Sequence, residues 1–189
     1  IPPTDSVSTS TLKPQKMKKV LVLCFGLVTF GAWSQEAVVV PSISGMLEQT
    51  QGNIVALAEA FSEDQMNWRP AEGVRSVGET ILHTAAANYY IAMKMGYAPP
   101  EGVDIMTMES IQGKGAIIDT FKQSSAFIKE KMAMVEAGTF GDEVDLGFAK
   151  LNRLSSLLVV LEHNGEHKGQ LIAYARSNGV VPPWSQGGQ

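Results

Sequence analysis

The segment Leu161–Ser185, LEHNGEHKGQLIAYARSNGVVPPWS, reads as the end of a long helix. Asn178 and Gly179 supply a stop, and Pro182 and Pro183 prevent the helix from resuming. The segment also holds two of the chain's three histidines, His163 and His167, four residues apart. On a helix this spacing leaves the two side chains one turn apart and only about 40° different around the axis, so both imidazoles project from one face. They can converge on a single metal ion, whereas two histidines on a solvated helix face need no metal. Spacing alone leaves both readings open.

Working outward, this helix is expected from about Phe148 to Ser177. Three others share its apolar periodicity. The first runs roughly from Ser42 to Phe61, with Ile43, Met46, Leu47, Ile54, Leu57, Ala58 and Phe61 near a helical period. The second starts at Ser-Val-Gly-Glu, where Ser76 caps and Glu79 reaches back in a capping box. It carries His83 and ends near Met95. The third is expected over Met108–Val135, with Gly113 and Gly115 weakening its first turns. Loops rich in Pro, Gly and acidic residues separate them, and no segment has a convincing strand pattern. Four amphipathic helices imply an all-α fold, an antiparallel four-helix bundle.

The N-terminus reads differently. Lys18 and Lys19, the apolar run Val20–Phe30, and then small residues have the layout of a secretory signal peptide over 17–34, with cleavage expected after Ser34. The apolar run is short for a membrane span. Leu23 before Cys24 argues against lipidation. Residues 1–16 precede a plausible initiator, Met17, and read as upstream sequence, leaving 35–189 as one domain. The expectation is an exported protein, periplasmic or secreted, without stable membrane insertion after cleavage.

The chain has 15 basic and 19 acidic residues; loss of residues 1–34 removes four lysines and one aspartate, leaving 11 and 18 and a formal charge of −7. Nucleic acid is a poor partner for such a surface. Cys24, the only cysteine, is lost too. That excludes disulfides, a thiol nucleophile and thiolate ligands, so any metal must be held by His, carboxylate or water.

Residues around the histidine pair extend the reading. Gln170, three positions after His167, is placed to orient an imidazole or a water. Gly165 and Gly169 each cost about 1 kcal/mol of helix propensity relative to Ala, which favours a role in close helix packing over a tolerated weak spot. HNGEH also matches the inverted zinc-peptidase pattern His-x-x-Glu-His, which would make Glu166 a general base. However, no Asp or Glu follows His167 to complete that ligand set. Solvated carboxylate is the alternative for Glu166. Tyr89, Tyr90 and Tyr174 read as core residues with hydroxyls at the rim, and Met93, Met95, Met106 and Met108 as packing. Trp68-Arg69-Pro70 reads as fixing the first helix crossing, and VPPWS as packing the tail across the bundle.

NWRPAEGVRSVGETILHTAAANYY, followed about eighty residues later by EHNGEHKGQLIAYARSNGVVPPWS, resembles the DinB family of four-helix-bundle proteins. The shared elements are a Trp-x-Pro loop, a Ser-x-x-Glu helix start leading to one histidine, His-x-x-x-His followed by Gly-Gln, and an apolar-Pro-Pro exit. The resemblance covers residues 42–185. It implies that His83, His163 and His167 form a metal-binding triad for one divalent transition metal, zinc or nickel, with manganese also acceptable to imidazole. Three neutral nitrogen donors leave one coordination position open, as catalytic rather than structural zinc sites do.

The resemblance implies a metal-dependent hydrolase or a thiol S-transferase acting on a small molecule, or a non-catalytic metal-binding bundle, and it allows a homodimer. Export favours hydrolysis, because low-molecular-weight thiol cosubstrates are cytoplasmic pools.

Overall fold

The computed structural model describes residues 17–187, with side chains from residue 37 onward. The expected signal peptide, its cleavage point and the upstream segment lie outside the residues described in full. Among the described residues no helix is long and apolar enough to cross a membrane. The compact unit that holds the site spans Val38–Gln189.

Four helices contribute to it: α1 (Met17–Ala60), of which Val38 onward belongs to this unit, α2 (Val77–Lys94), α3 (Lys114–Ala133) and α4 (Arg153–Ser177). Helix α1 does not start at Ser42 as its apolar pattern implied; it runs through Pro41. Its apolar stripe is nonetheless the expected one, with Leu47, Ile54, Leu57 and Phe61 buried, although Met46 faces solvent. Helix α2 begins where expected. The Ser76 hydroxyl accepts from the Glu79 N–H, and the Glu79 carboxylate accepts from the Ser76 N–H at 2.7 Å, which satisfies two donors that a helix start otherwise leaves open.

Two expectations are corrected. The third helix begins at Lys114, not Met108. Gly113 sits at φ 90°, a left-handed conformation no helix interior accepts. Met108–Ser110 is instead an isolated 3₁₀ turn. The fourth helix begins at Arg153, and the residues before it form an antiparallel hairpin of β1 (Glu143–Asp145) and β2 (Lys150–Asn152), with Val144 opposite Leu151. Gly147, at φ 85°, turns the hairpin, and a Cβ there would lie 2.9 Å from the Tyr90 hydroxyl. Asn152 ends the hairpin and caps α4 by accepting from the Ser155 N–H at 2.7 Å. Three-residue strands with one buried side chain each are too short to leave an alternating pattern in the sequence.

Helix directions follow from which residues meet. Lys122 pairs with Glu59 and Lys129 with Glu48, so α1 and α3 are antiparallel. Tyr174 reaches Arg75, Asn164 reaches Asn88 and Arg153 reaches Met95, so α2 and α4 are antiparallel as well. Gly78 lies against Ile117 and Asn88 against Ser124, which makes α2 and α3 parallel. Gln51 meets Asn164 and Gln65 meets Asn178, which makes α1 and α4 parallel. The order is therefore up-down-down-up, not the alternating arrangement that "antiparallel bundle" implies. It requires the connection from Met95 to Gly113 to return the length of α2, roughly 27 Å at 1.5 Å per residue. An extended chain of that length reaches about twice as far.

At mid-height the core contains a polar layer to which every helix contributes. Asn164 Nδ2 donates to Asn88 Oδ1 at 2.9 Å, Asn88 Nδ2 donates to Ser124 Oγ at 3.2 Å, and Gln51 Nε2 donates to Asn164 Oδ1 at 3.5 Å. All four side chains are buried. Apolar side chains, among them Leu82, Phe121, Ile128, Leu157 and Leu171, enclose the layer above and below.

Candidate metal centre

Antiparallel pairing of α2 with α4 sets His83 against His163 and His167. One ligand atom from each imidazole lies within 4.8 Å of the other two. The ring centroids are 5.2 Å apart for His83 and His163, 5.0 Å for His83 and His167, and 4.4 Å for His163 and His167. The Nε2 atoms of His163 and His167 are 3.2 Å apart. Two nitrogens on one tetrahedral ion, each about 2.0–2.1 Å from it, are separated by roughly 3.3 Å.

Outer partners decide which nitrogen each ring presents. His83 Nδ1 donates to Glu109 Oε1 at 2.8 Å, leaving the Nε2 lone pair free. His167 Nδ1 donates to Gln170 Oε1 at 2.8 Å; Gln170 Nε2 donates to the Tyr174 hydroxyl at 2.7 Å, and that hydroxyl donates to the Arg75 carbonyl at 3.1 Å. The chain of partners fixes the Gln170 amide orientation and with it the His167 tautomer. Gln170, expected to orient an imidazole or a water, is hydrogen-bonded to His167. His163 differs: its Nδ1 is buried without a hydrogen-bond partner.

His83 and His163 both favour the neutral form that a metal ligand requires. Burial pushes His163 down to about 4, and the neighbouring His167, His83 and Arg75 charges push the same way. His83 is lowered chiefly by burial, with Glu109 opposing and Arg75 reinforcing. Burial alone would raise the Glu109 carboxyl; hydrogen bonds and charge from Arg75 and His83 outweigh it and hold Glu109 below its ordinary value. The donor set and its spacing suit a metal ion, and three protein donors would leave a side open for a further ligand.

That side faces a cavity of about 360 Å³. His83, His163, Glu109 and Arg75 form its polar end, and Ala86, Ala87, Tyr90, Ile91, Ile105 and Val159 form most of its wall. Met106 and Phe148 stand at its rim, 91% and 69% exposed. On the other side of the Arg75–Glu109 ion pair, at 2.9 Å, a second and more polar cavity of about 530 Å³ is lined by Arg69, Glu79 and Gln170.

The three histidines and Gln170 that sequence reasoning singled out come together here, beside Glu109 and Arg75, which it did not single out. Glu109 stands in the connection that returns along α2, a course that no local pattern announces. Arg75 directly precedes the Ser76 cap and had no motif of its own. Glu166 is exposed and lines neither cavity. Gly165 and Gly169 do not serve close packing, since a Cβ on either would meet nothing within 4 Å. The close approach is at Gly78, where a Cβ would lie 2.9 Å from Ile117 Cδ1 and 3.3 Å from the Met66 carbonyl. Tyr89 and Tyr174 are buried as expected, and Trp68 packs edge-on to Tyr174 at 5.3 Å, behind Gln170. Of the four methionines, Met95 and Met108 are buried, while Met93 and Met106 face solvent. In the tail Pro182 is buried, but Val181 and Trp184 are largely exposed.

The sequence of residues 46–171 matches the family model of the DinB superfamily. This chain belongs to the DinB superfamily. It is similar to the YjoA protein of Bacillus subtilis (strain 168), 27% identical over 128 residues that cover 65% of this chain and 80% of YjoA. The crystal structure of that DinB-like protein superposes with a TM-score of 0.59 at 21% identity, covering 74% of this chain and 93% of YjoA. A DinB-like protein from Bacillus cereus ATCC 10987 gives 0.58 at 15% identity, covering 74% and 94%. A conserved protein from Enterococcus faecalis gives 0.61 at 17% identity, covering 73% and 95%. At these identities the superpositions speak for the shared DinB-like fold.

Proposed function

We propose that this DinB superfamily chain is a metal-dependent enzyme that binds one divalent transition metal, zinc or nickel, on His83, His163 and His167 and hydrolyses a small molecule. The observation that carries the reading is the conjunction of three converging imidazoles with an adjoining cavity. A metal that only stabilised the fold would need neither an open side nor a lined space beside it. A divalent ion there supplies Lewis acidity, which activates water or polarises a carbonyl. The chain's own residues do the rest. Glu109 and Gln170 hold two imidazoles in the ligating tautomer, and the apolar wall shapes the space beside them. Both Glu109 oxygens are occupied, by His83 and Arg75, so its role in this reading is to position His83.

The second cavity favours one alternative, transfer of a small thiol. Its polar lining beside Arg75 suits a cosubstrate different in character from whatever enters the first cavity. Product analysis separates the two: hydrolysis in ¹⁸O-labelled water incorporates label, and transfer yields a thioether without it.

Elemental analysis of the purified protein after gel filtration tests the metal reading. About one equivalent of metal is expected, and it should be lost in His83→Ala, His163→Ala and His167→Ala while far-UV circular dichroism stays helical. Unchanged metal content in the three variants would defeat the assignment. Export belongs to the same proposal and rests on the Lys18–Ser34 segment. N-terminal sequencing of the cellular protein should begin at Gln35; an intact Met17 would overturn it.

A further inference from the structure

The apolar cavity carries more information than its position beside the triad. Its wall is aliphatic and aromatic, and its one cation is Arg75. Arg75 Nε donates to Glu109 at 2.9 Å, and among the described residues its terminal amino groups have no protein acceptor. Arg75 borders both the apolar cavity and the more polar one beside it, and a guanidinium with free donors beside an apolar space can receive one anionic group, with carboxylate matching its planar geometry.

The rim supplies a second, independent observation. Met106 lies on the returning connection and Phe148 on the hairpin turn, segments remote in sequence, yet both hold large apolar side chains out at one cavity mouth. The turn bearing Phe148 is held in place: the Tyr90 hydroxyl donates to the Leu146 carbonyl at 2.8 Å, and Gly147 leaves room for that hydroxyl. Exposed apolar side chains kept at a mouth by a fixed turn are placed to cover an apolar occupant.

We infer that the first cavity takes a small monocarboxylic acid with a compact apolar body, its carboxylate on Arg75 and its apolar part against Ala87, Ile91 and Val159 beneath Phe148 and Met106. This deepens the proposed function and rests on it for the claim that such an acid is a substrate or product. The binding claim is tested separately.

The probes are 3-phenylpropanoate, the neutral 3-phenylpropanamide and the polar dianion succinate, titrated calorimetrically into zinc-incubated protein whose metal content is measured in parallel. The acid should bind at least about tenfold more tightly than either comparator. Ala87→Trp, which fills the cavity, should abolish binding. Arg75→Gln keeps a donor for Glu109 and should bring the acid and the amide to the same affinity. Equal affinities in the unaltered protein, binding that survives Ala87→Trp, or an acid preference that survives Arg75→Gln would each overturn the inference. Protein that takes up no zinc yet keeps the acid preference and its sensitivity to both substitutions would defeat the metal reading and leave this one standing. Zinc uptake without acid preference would do the reverse.

Discussion

Truncating Asn164 to Ala tests the account of how the four helices are held in register. The substitution removes the Nδ2 donor from Asn88 Oδ1 and Oδ1 as acceptor for Gln51, both at buried positions. Leaving a buried carbonyl without its donor costs about 1–3 kcal/mol. The amide's three heavy atoms leave a void of roughly 40 Å³, adding about 1 kcal/mol. Ala returns roughly 0.5 kcal/mol of helix propensity. The net loss is about 1.5–3.5 kcal/mol. Urea unfolding in the presence of EDTA measures it, because chelation removes any contribution of bound metal to apparent stability. Glu162→Ala, at an exposed position on the same helix, should change stability by less than about 0.5 kcal/mol. Asn88→Ala combined with Asn164→Ala should cost clearly less than the two single losses together, since each single variant orphans the other's partner. A loss below about 1 kcal/mol at unchanged urea dependence, or strict additivity in the pair, would refute the idea that this layer is coupled.

Other outcomes follow from the same structure. Gly165→Ala and Gly169→Ala have open space for a methyl group and should each stabilise by about 0.5–1 kcal/mol, whereas Gly78→Ala should destabilise by pressing on Ile117 and the Met66 carbonyl; thermal melts of the three variants check this. Ser76→Ala should cost about 1 kcal/mol through loss of the cap on α2, read by the same melts. Glu109→Ala should weaken metal affinity by about 10–100-fold, measured by competition with a chromogenic chelator. The metal-free protein should be most stable above the unfolded imidazole pKa of about 6.5 and lose stability as pH falls towards 4. Unfolded His83 and His163 take up protons across that interval, while the folded rings, lowered by burial, resist until His163 titrates at about 4. Thermal midpoints across pH 4–8 in EDTA should rise with pH, and a midpoint that fell would contradict this.

The sequence disclosed those parts of the fold that local chemistry dictates. Ser76 and Glu79 announce the start of α2 because a capping box is a four-residue event. His163, His167 and Gln170 announce a site because they share a single helical face. His83 joined them only through the family resemblance, since nothing local says that α2 faces α4. What the sequence concealed depends on long connections. Glu109 reaches His83 because the chain between Met95 and Gly113 doubles back along α2, and that return also makes α2 and α3 parallel. Gly165 and Gly169 misled for a related reason. A helical glycine looks the same in sequence whether a neighbour presses on it or not, and here the pressed glycine is Gly78.

The antiparallel pairing of α2 with α4 has a practical consequence for handling the protein. Helix α4 ends beside the start of α2, at the same end of the bundle as Arg75, and His167 lies only about 15 Å along the axis from Ser177 at 1.5 Å per residue. A hexahistidine tail fused after Gln189 would reach about 20 Å when extended, in addition to the span of the residues that precede it. Such a tail would be tethered at high effective concentration to the imidazole cluster. It would compete for the metal being counted, or contribute a fourth nitrogen and close the open side. Affinity tags for this protein therefore belong on a cleavable partner, removed before stoichiometry, spectra or turnover are measured.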